Sequence, residues 1–149
     1  MDMESILKNV APCGLHCGKC LSNPDSPIAS LARQLRGQLG GFAKAAPRFA
    51  GYDPVFEDYG AFERILDRLA DQGTCRGCRF GGACLFGDCK VPGCIEERGV
   101  DFCFQCPDFP CDRHGLPPLL AGVWAERNAM MRDQGLESFF QWVDNLPRY

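Results

Sequence analysis

Eight cysteines crowd the stretch from Cys75 to Cys111, at positions 75, 78, 84, 89, 94, 103, 106 and 111. Glycine or proline falls every few residues between them, so neither a helical nor a strand period runs through the stretch. Such a segment folds as knuckles and hairpin turns held by something other than its own backbone ladder. The other three cysteines, Cys13, Cys17 and Cys20, form one tight cluster near the N-terminus. Nothing between Cys20 and Cys75 offers a soft ligand, so the two clusters are expected to meet in space around bound metal.

What the thiols are for depends on the compartment. The opening M-D-M-E-S-I-L-K-N-V-A-P has no basic region and no apolar run of signal-peptide length. No other stretch approaches the roughly 18 apolar residues that span a bilayer. The expectation is a cytoplasmic protein with no membrane contact, where abundant cysteine means metal or redox chemistry rather than a disulfide framework. Eleven is also an odd number, which fits complete internal pairing badly. A net charge of −3, with basic and acidic residues interleaved, argues against a nucleic-acid partner and leaves protein partners as the expectation.

Helices are legible on either side of the thiols. Residues 1–12 read as a short helix or arm. Ser26-Pro27 has the N-cap and first-turn signature of a helix whose apolar stripe is Ile28, Leu31, Leu35, Leu39 and Phe42, ending at Gly40-Gly41. Lys44 to Tyr52 reads as a loop broken by Pro47 and Gly51. Asp53-Pro54 repeats the start signature, and Val55, Tyr59, Phe62, Leu66 and Leu69, with Ile65 beside them, give a second stripe closed by Gly73. Both stripes are expected to face a core. Ile95 to Arg98 has room for one short helix before Gly99. Beyond Pro117-Pro118, one helix carries Leu119, Leu120, Val123, Trp124 and Met130-Met131 to Gly135. A last one carries Leu136, Phe139, Phe140, Val143 and Leu146 to Pro147.

Three C-x-x-C pairs, Cys17/Cys20, Cys75/Cys78 and Cys103/Cys106, each let a tight turn present two thiolates to one ion, and two such pairs complete a tetrahedral zinc site. The expected ligands are Cys13, Cys17, Cys20, Cys75, Cys78, Cys89, Cys94, Cys103, Cys106 and Cys111, holding two or three zinc ions. Two closed sites use eight cysteines and leave three. Local spacing groups Cys75, Cys78, Cys89 and Cys94. Cys13, Cys17 and Cys20 lack a local fourth ligand and must recruit one of Cys103, Cys106 or Cys111. Cys84 reads equally as a ligand or a spare thiol, and His16 and His114 read as residues flanking knuckles more than as ligands. Arg76, Arg79 and Lys90 would offset the two net negative charges of a four-thiolate zinc centre.

The alternative is an enzyme or redox protein with an iron–sulfur cluster or an open zinc position at Cys13, Cys17 and Cys20. Their C-x3-C-x2-C spacing leaves one coordination position free. Against it, the chain lacks the alternating strands and helices of a radical-SAM barrel, its glycine-rich cofactor signals, and the bacterial ferredoxin run. A cysteine hydrolase using His16 or His114 as base explains eleven metal-spaced cysteines less well. No P-loop, dinucleotide fingerprint or nucleophile elbow is present.

C-G-L-H-C-G-K-C (Cys13 to Cys20), C-R-G-C-R (Cys75 to Arg79), C-K-V-P-G-C (Cys89 to Cys94) and G-V-D-F-C-F-Q-C-P-D-F-P-C (Gly99 to Cys111) resemble a prokaryotic cysteine-rich family catalogued as a domain of unknown function. R-D-Q-G-L-E-S-F-F (Arg132 to Phe140) resembles its helical tail, and F-C-x-x-C-x-x-F-P-C is the most specific part. Cys84 is an addition to the usual set. The resemblance implies zinc binding and no established reaction. The expected architecture is one α+β domain over 1–149, mostly helical around an irregular, zinc-stapled region with short hairpins. Its parts are an N-terminal knuckle (13–20), a helical insertion (27–73), a cysteine-rich core (75–111) and C-terminal helices (117–146).

Overall fold

The computed structural model of the chain describes residues 2–71, 73–82 and 86–149. It corrects the α+β expectation: 62% of the chain is helical and 1% is in strand pairing, with no sheet among the described residues. In place of hairpins, the cysteine-rich stretch makes 3-10 turns and one α-helix. The β-pairing recorded among the described residues is a single bridge in the N-terminal arm, between Val10 and His16. The physical reason lies in the glycines and prolines, which never leave enough uninterrupted extended residues for a two-stranded ladder. No described helix is long and apolar enough to cross a membrane.

Seven α-helices run through the described residues: α1 Met3–Asn9, α2 Pro27–Leu39, α3 Ala46–Ala50, α4 Tyr59–Asp71, α5 Val91–Arg98, α6 Pro118–Gln134 and α7 Leu136–Asp144. They fall into two compact units. One joins Met1–Cys20 to Cys75–Tyr149, and the other is Leu21–Thr74.

In the first unit, Ile6 and Val10 of the N-terminal segment pack with Phe102, Met131, Phe139, Phe140 and Val143 in one buried cluster. A second cluster gathers Ala11, Cys13, Leu15, Val91, Ile95, Leu116 and Trp124, and Cys17, Cys89, Cys103 and Cys111 pack against it. The thiols therefore line the edge of an apolar core. α5 begins a turn before the expected Ile95, and Gly99 ends it in the left-handed region at φ 63°. α6 and α7 lie where the apolar periods put them, and Phe139, Phe140 and Val143 are buried as expected.

The second unit is a helical hairpin. Ser26 Oγ accepts from Ala29 N at 3.2 Å and Pro27 opens α2. Arg33 donates to Ala70 O at 2.8 Å, and Arg36 pairs with Asp67 at 3.2 Å and with Asp71. Higher numbers on α2 thus meet lower numbers on α4, which makes the pair antiparallel. Gly73 closes tightly on the turn before α2: a Cβ there would stand 2.9 Å from Ser22 O. Two boundaries differ from expectation. Asp53-Pro54 opens a 3-10 turn, Pro54–Asp58, and α4 proper starts at Tyr59. Pro47 lies in the first turn of α3, where its missing N–H costs nothing, so it starts a helix instead of breaking one.

The two apolar stripes of this unit are core faces only in part. Leu31 is 63% exposed, Ile65 61% and Val55 64%. The buried contacts are Ala32, Leu66 and Ala70, with Leu39 and Leu69 partly covered.

Candidate metal centres

The first centre grows from the knuckle Cys75-Arg76-Gly77-Cys78. Phe80 N and Gly82 N both donate to Gly77 O at 3.0 Å, folding the chain back over a 3-10 turn, Cys78–Phe80. Gly77 has φ 101°, open to glycine and strained for other residues, and its missing Cβ would lie 3.8 Å from Cys17 Sγ. A Cβ on Gly82 would come within 2.6 Å of Cys75 Sγ. These glycines leave room for sulfur.

Cys17 sits at the start of its own 3-10 turn, Cys17–Lys19, and shares a hydrogen bond with Cys78. That bond holds the Cys17 thiol below its ordinary value, against burial and the nearby charges of Cys13 and Cys75. The same bond, burial and the Cys17 charge push Cys78 up. Cys13, Cys17, Cys75 and Cys78 thus form one interacting group.

The second group is Cys94, Cys103, Cys106 and Cys111. All four line a cavity of ≈ 20 Å³ whose wall also includes Ile95, Phe109 and Trp124. That is room for about one water-sized occupant. Burial pushes the Cys103 thiol up to about 11, with the charges of Cys94, Cys111 and Cys106 adding to it and Trp124 opposing. The Trp124 indole N–H is buried without a well-formed hydrogen bond, yet stands close enough to favour a thiolate at Cys103. A buried donor left in this position is what a metal-bound sulfur would satisfy.

Among the described residues, no group of three or more Cys, His, Asp or Glu side chains is placed to hold a metal ion. The donor chemistry fits nevertheless. Each group offers four soft thiols at the edge of an apolar core, which suits a closed zinc site and no hard cation. No disulfide joins any two of the ten described cysteines.

Three features hold the groups in place. Asn128 is fully buried on α6; its Oδ1 accepts from Phe104 N at 3.0 Å, and its Nδ2 donates to Pro12 O at 3.2 Å and Trp124 O at 3.0 Å. One side chain thereby joins the N-terminal arm, the Cys103 knuckle and α6. Gly14, at φ 81°, lets the arm touch α6, where Arg127 donates to Gly14 O at 3.0 Å and places its charge near Cys13. Arg79 lies 4.7 Å over the Phe102 ring and donates to Asp101 O. Burial pulls its pKa down, while Asp101, Cys17, Cys78 and Cys103 hold it up, so this one guanidinium acts on thiols of both groups.

Spacing groups Cys94 with Cys75, Cys78 and Cys89, and Cys94 borders two openings, one with Cys103, Cys106 and Cys111 and one with Cys89. Cys75 and Cys78 stand with the arm. Cys20 turns away, its Sγ 3.6 Å from Tyr149 Oη. Cys89 packs on the core and borders an open groove with Cys94, Lys90, Glu97 and Arg113. Cys84 lies outside the described residues.

The two histidines have other work. His16 is buried, not a surface flank: its Nδ1 accepts from Lys19 N at 3.2 Å, leaving Nε2–H to donate to Asp144 at 3.1 Å. Lys19 Nζ bonds the carbonyls of Asp144 and Leu146, a cation at the C-terminus of α7. His114 Nδ1 accepts from Leu116 N at 2.9 Å, and its ring lies 4.7 Å from that of Trp124.

Sequence reasoning missed Asn128. Its signal was there, a polar residue in line with Trp124 and Met131 on the buried stripe of α6.

No curated protein and no solved structure matches the chain. A family model described as "Protein of unknown function (DUF3795)" matches residues 9–115. That span contains all eleven cysteines, both histidines and both sulfur groups. The chain belongs to the DUF3795 family, a family of unknown function.

Proposed function

We propose that the chain is a structural zinc module whose arm and cysteine-rich stretch are stapled by two four-thiolate ions. One staple takes Cys13, Cys17, Cys75 and Cys78, and the other takes Cys94, Cys103, Cys106 and Cys111. Its service to the cell is protein interaction or an accessory role in the cytoplasm, where thiols stay reduced. The observation that carries the reading is the ion-sized cavity lined by four cysteines, with the buried Trp124 N–H beside Cys103. When bound, zinc would supply cross-links between segments far apart in sequence, so its binding energy would be folding energy.

Charge supports the same reading. Two four-thiolate centres would carry four net negative charges, and Arg79 and Arg127 stand near their sulfurs in half-buried positions. Eight of eleven cysteines are used, leaving Cys20, Cys84 and Cys89. The three-thiol site of Cys13, Cys17 and Cys20 gains no support, because Cys20 faces Tyr149 while Cys75 and Cys78 adjoin Cys17.

Metal analysis with chelation tests the proposal. The purified protein is expected to be colourless, to carry two zinc ions per chain, and to lose its tryptophan near-ultraviolet dichroism when zinc is stripped. Both tryptophans, Trp124 and Trp142, belong to the thiol-bearing unit, so that signal reads its packing. A brown protein with stoichiometric iron and sulfide, or a metal-free protein with unchanged dichroism, would contradict it.

A further inference from the structure

The helical hairpin of Leu21–Thr74 leaves its largest apolar side chains uncovered. Its own buried cluster holds three residues, two of them alanines: Ala32, Leu66 and Ala70. Leu31 is 63% and Leu35 45% exposed on α2, and Ile65 is 61% and Phe62 41% exposed on α4. At about 100° of rotation per residue, Leu31 and Leu35 lie roughly a quarter turn or more from the stripe that meets α4. Ile65 is displaced from Leu66 by a similar angle. Because the helices are antiparallel, these displacements bring all four residues to one side of the hairpin. Phe62 continues the strip into an aromatic cluster at the hairpin tip, where Tyr59, Phe42 and Phe49 follow at ring distances of 5.8, 4.9 and 5.0 Å. Phe49 is itself 46% exposed.

A two-helix layer with alanines inside and leucine, isoleucine and phenylalanine on one flank is half of a helical bundle. We propose that this flank is the interface for a second copy of the chain, two hairpins closing as a four-helix bundle about a two-fold axis. Area and charge favour that occupant. Leu31, Leu35, Phe49, Phe62 and Ile65 each leave roughly 100 Å² uncovered, given ~200 Å² for a large open side chain. A symmetric pair would then remove on the order of 1,000 Å², the lower bound for a specific interface. The hairpin carries six basic residues (Arg33, Arg36, Lys44, Arg48, Arg64, Arg68) and seven acidic ones (Asp25, Asp53, Glu57, Asp58, Glu63, Asp67, Asp71). That balance selects neither a polyanion nor an anionic membrane, and it lets the same surface meet itself without like-charge repulsion. The area at the lower bound sets the expected strength at micromolar. The proposal stands apart from the metal reading, since none of these residues is a thiol.

Sedimentation of the full chain, with metal as purified, tests it. The wild type is expected to run at twice its 16.5 kDa chain mass at about 100 μM and to dissociate on dilution. Leu31→Glu with Ile65→Glu should weaken the dimer about tenfold or more with helix content unchanged. Glu63→Gln, about 160° around α4 from Ile65, should leave it intact. If the glutamate pair loses helix, Leu31→Gln with Ile65→Gln supplies the comparison. A wild type that stays at 16.5 kDa at that concentration overturns the proposal, as does a folded double variant that dimerises as tightly as the wild type. A monomer that instead binds vesicles through this flank overturns it too.

Discussion

The two units use apolar residues in opposite ways. In the thiol-bearing unit, Phe102 and Phe139 are 0% exposed and Met131 1%, although Leu119 and Phe80 stand open at its surface. In the hairpin unit, Leu66 packs between Ala32 and Ala70 while Leu31, Tyr52, Val55 and Ile65 stand open. The difference teaches what stabilises each. The first unit buries aromatics, and its thiols line the edge of that core. Its arm and its C-terminal helices share a core, so the chain can leave at Cys20 and return at Cys75 without losing it. The hairpin closes with small residues that let α2 and α4 approach, and its stronger apolar flank is spent outward.

The contrast is sharpest in one substitution made twice. Phe102→Ala should cost about 3–5 kcal/mol, since it empties a fully enclosed site. Urea unfolding followed by tryptophan fluorescence would measure it. Asn128→Ala comes next, at about 2–4 kcal/mol, because Phe104 N–H and Pro12 O lose their partner inside the core. Arg79→Met should leave two ions bound but weaken the second by roughly tenfold, because two like-charged centres then lack their shared cation. Cobalt titration, read by thiolate charge-transfer bands, would separate the two steps. Smallest is Phe62→Ala, below about 1 kcal/mol in dilute monomer, since that ring is 41% exposed. Equal losses for Phe62 and Phe102 would erase the distinction between the units.

Much of the fold was legible in sequence. The Ser26-Pro27 start of α2, the Gly99 end of α5 and the buried face of α7 followed from capping and period, which act over a few residues. The orientation of the hairpin stripes did not. A period says that a helix has an apolar side, but Ala29, Ala32 and Ala70 became the inner side because small residues allow close helix approach. The sulfur grouping was only half legible. Spacing identified the knuckles, and the need of the arm for distant ligands was visible in the isolation of Cys13 to Cys20. What brings the arm to α6, and so near the knuckles, is its contact with Asn128 and Arg127, the latter at Gly14. Those are tertiary contacts, with no mark in the cysteine spacing.

Zinc content across single cysteine-to-serine variants tests the central claim most directly. The account predicts two ions per chain in the wild type. It predicts one fewer on replacing any of Cys13, Cys17, Cys75, Cys78, Cys94, Cys103, Cys106 or Cys111, and no loss for Cys20→Ser or Cys89→Ser. A chain that loses an ion with Cys20, or keeps both without Cys75 or Cys103, would contradict it.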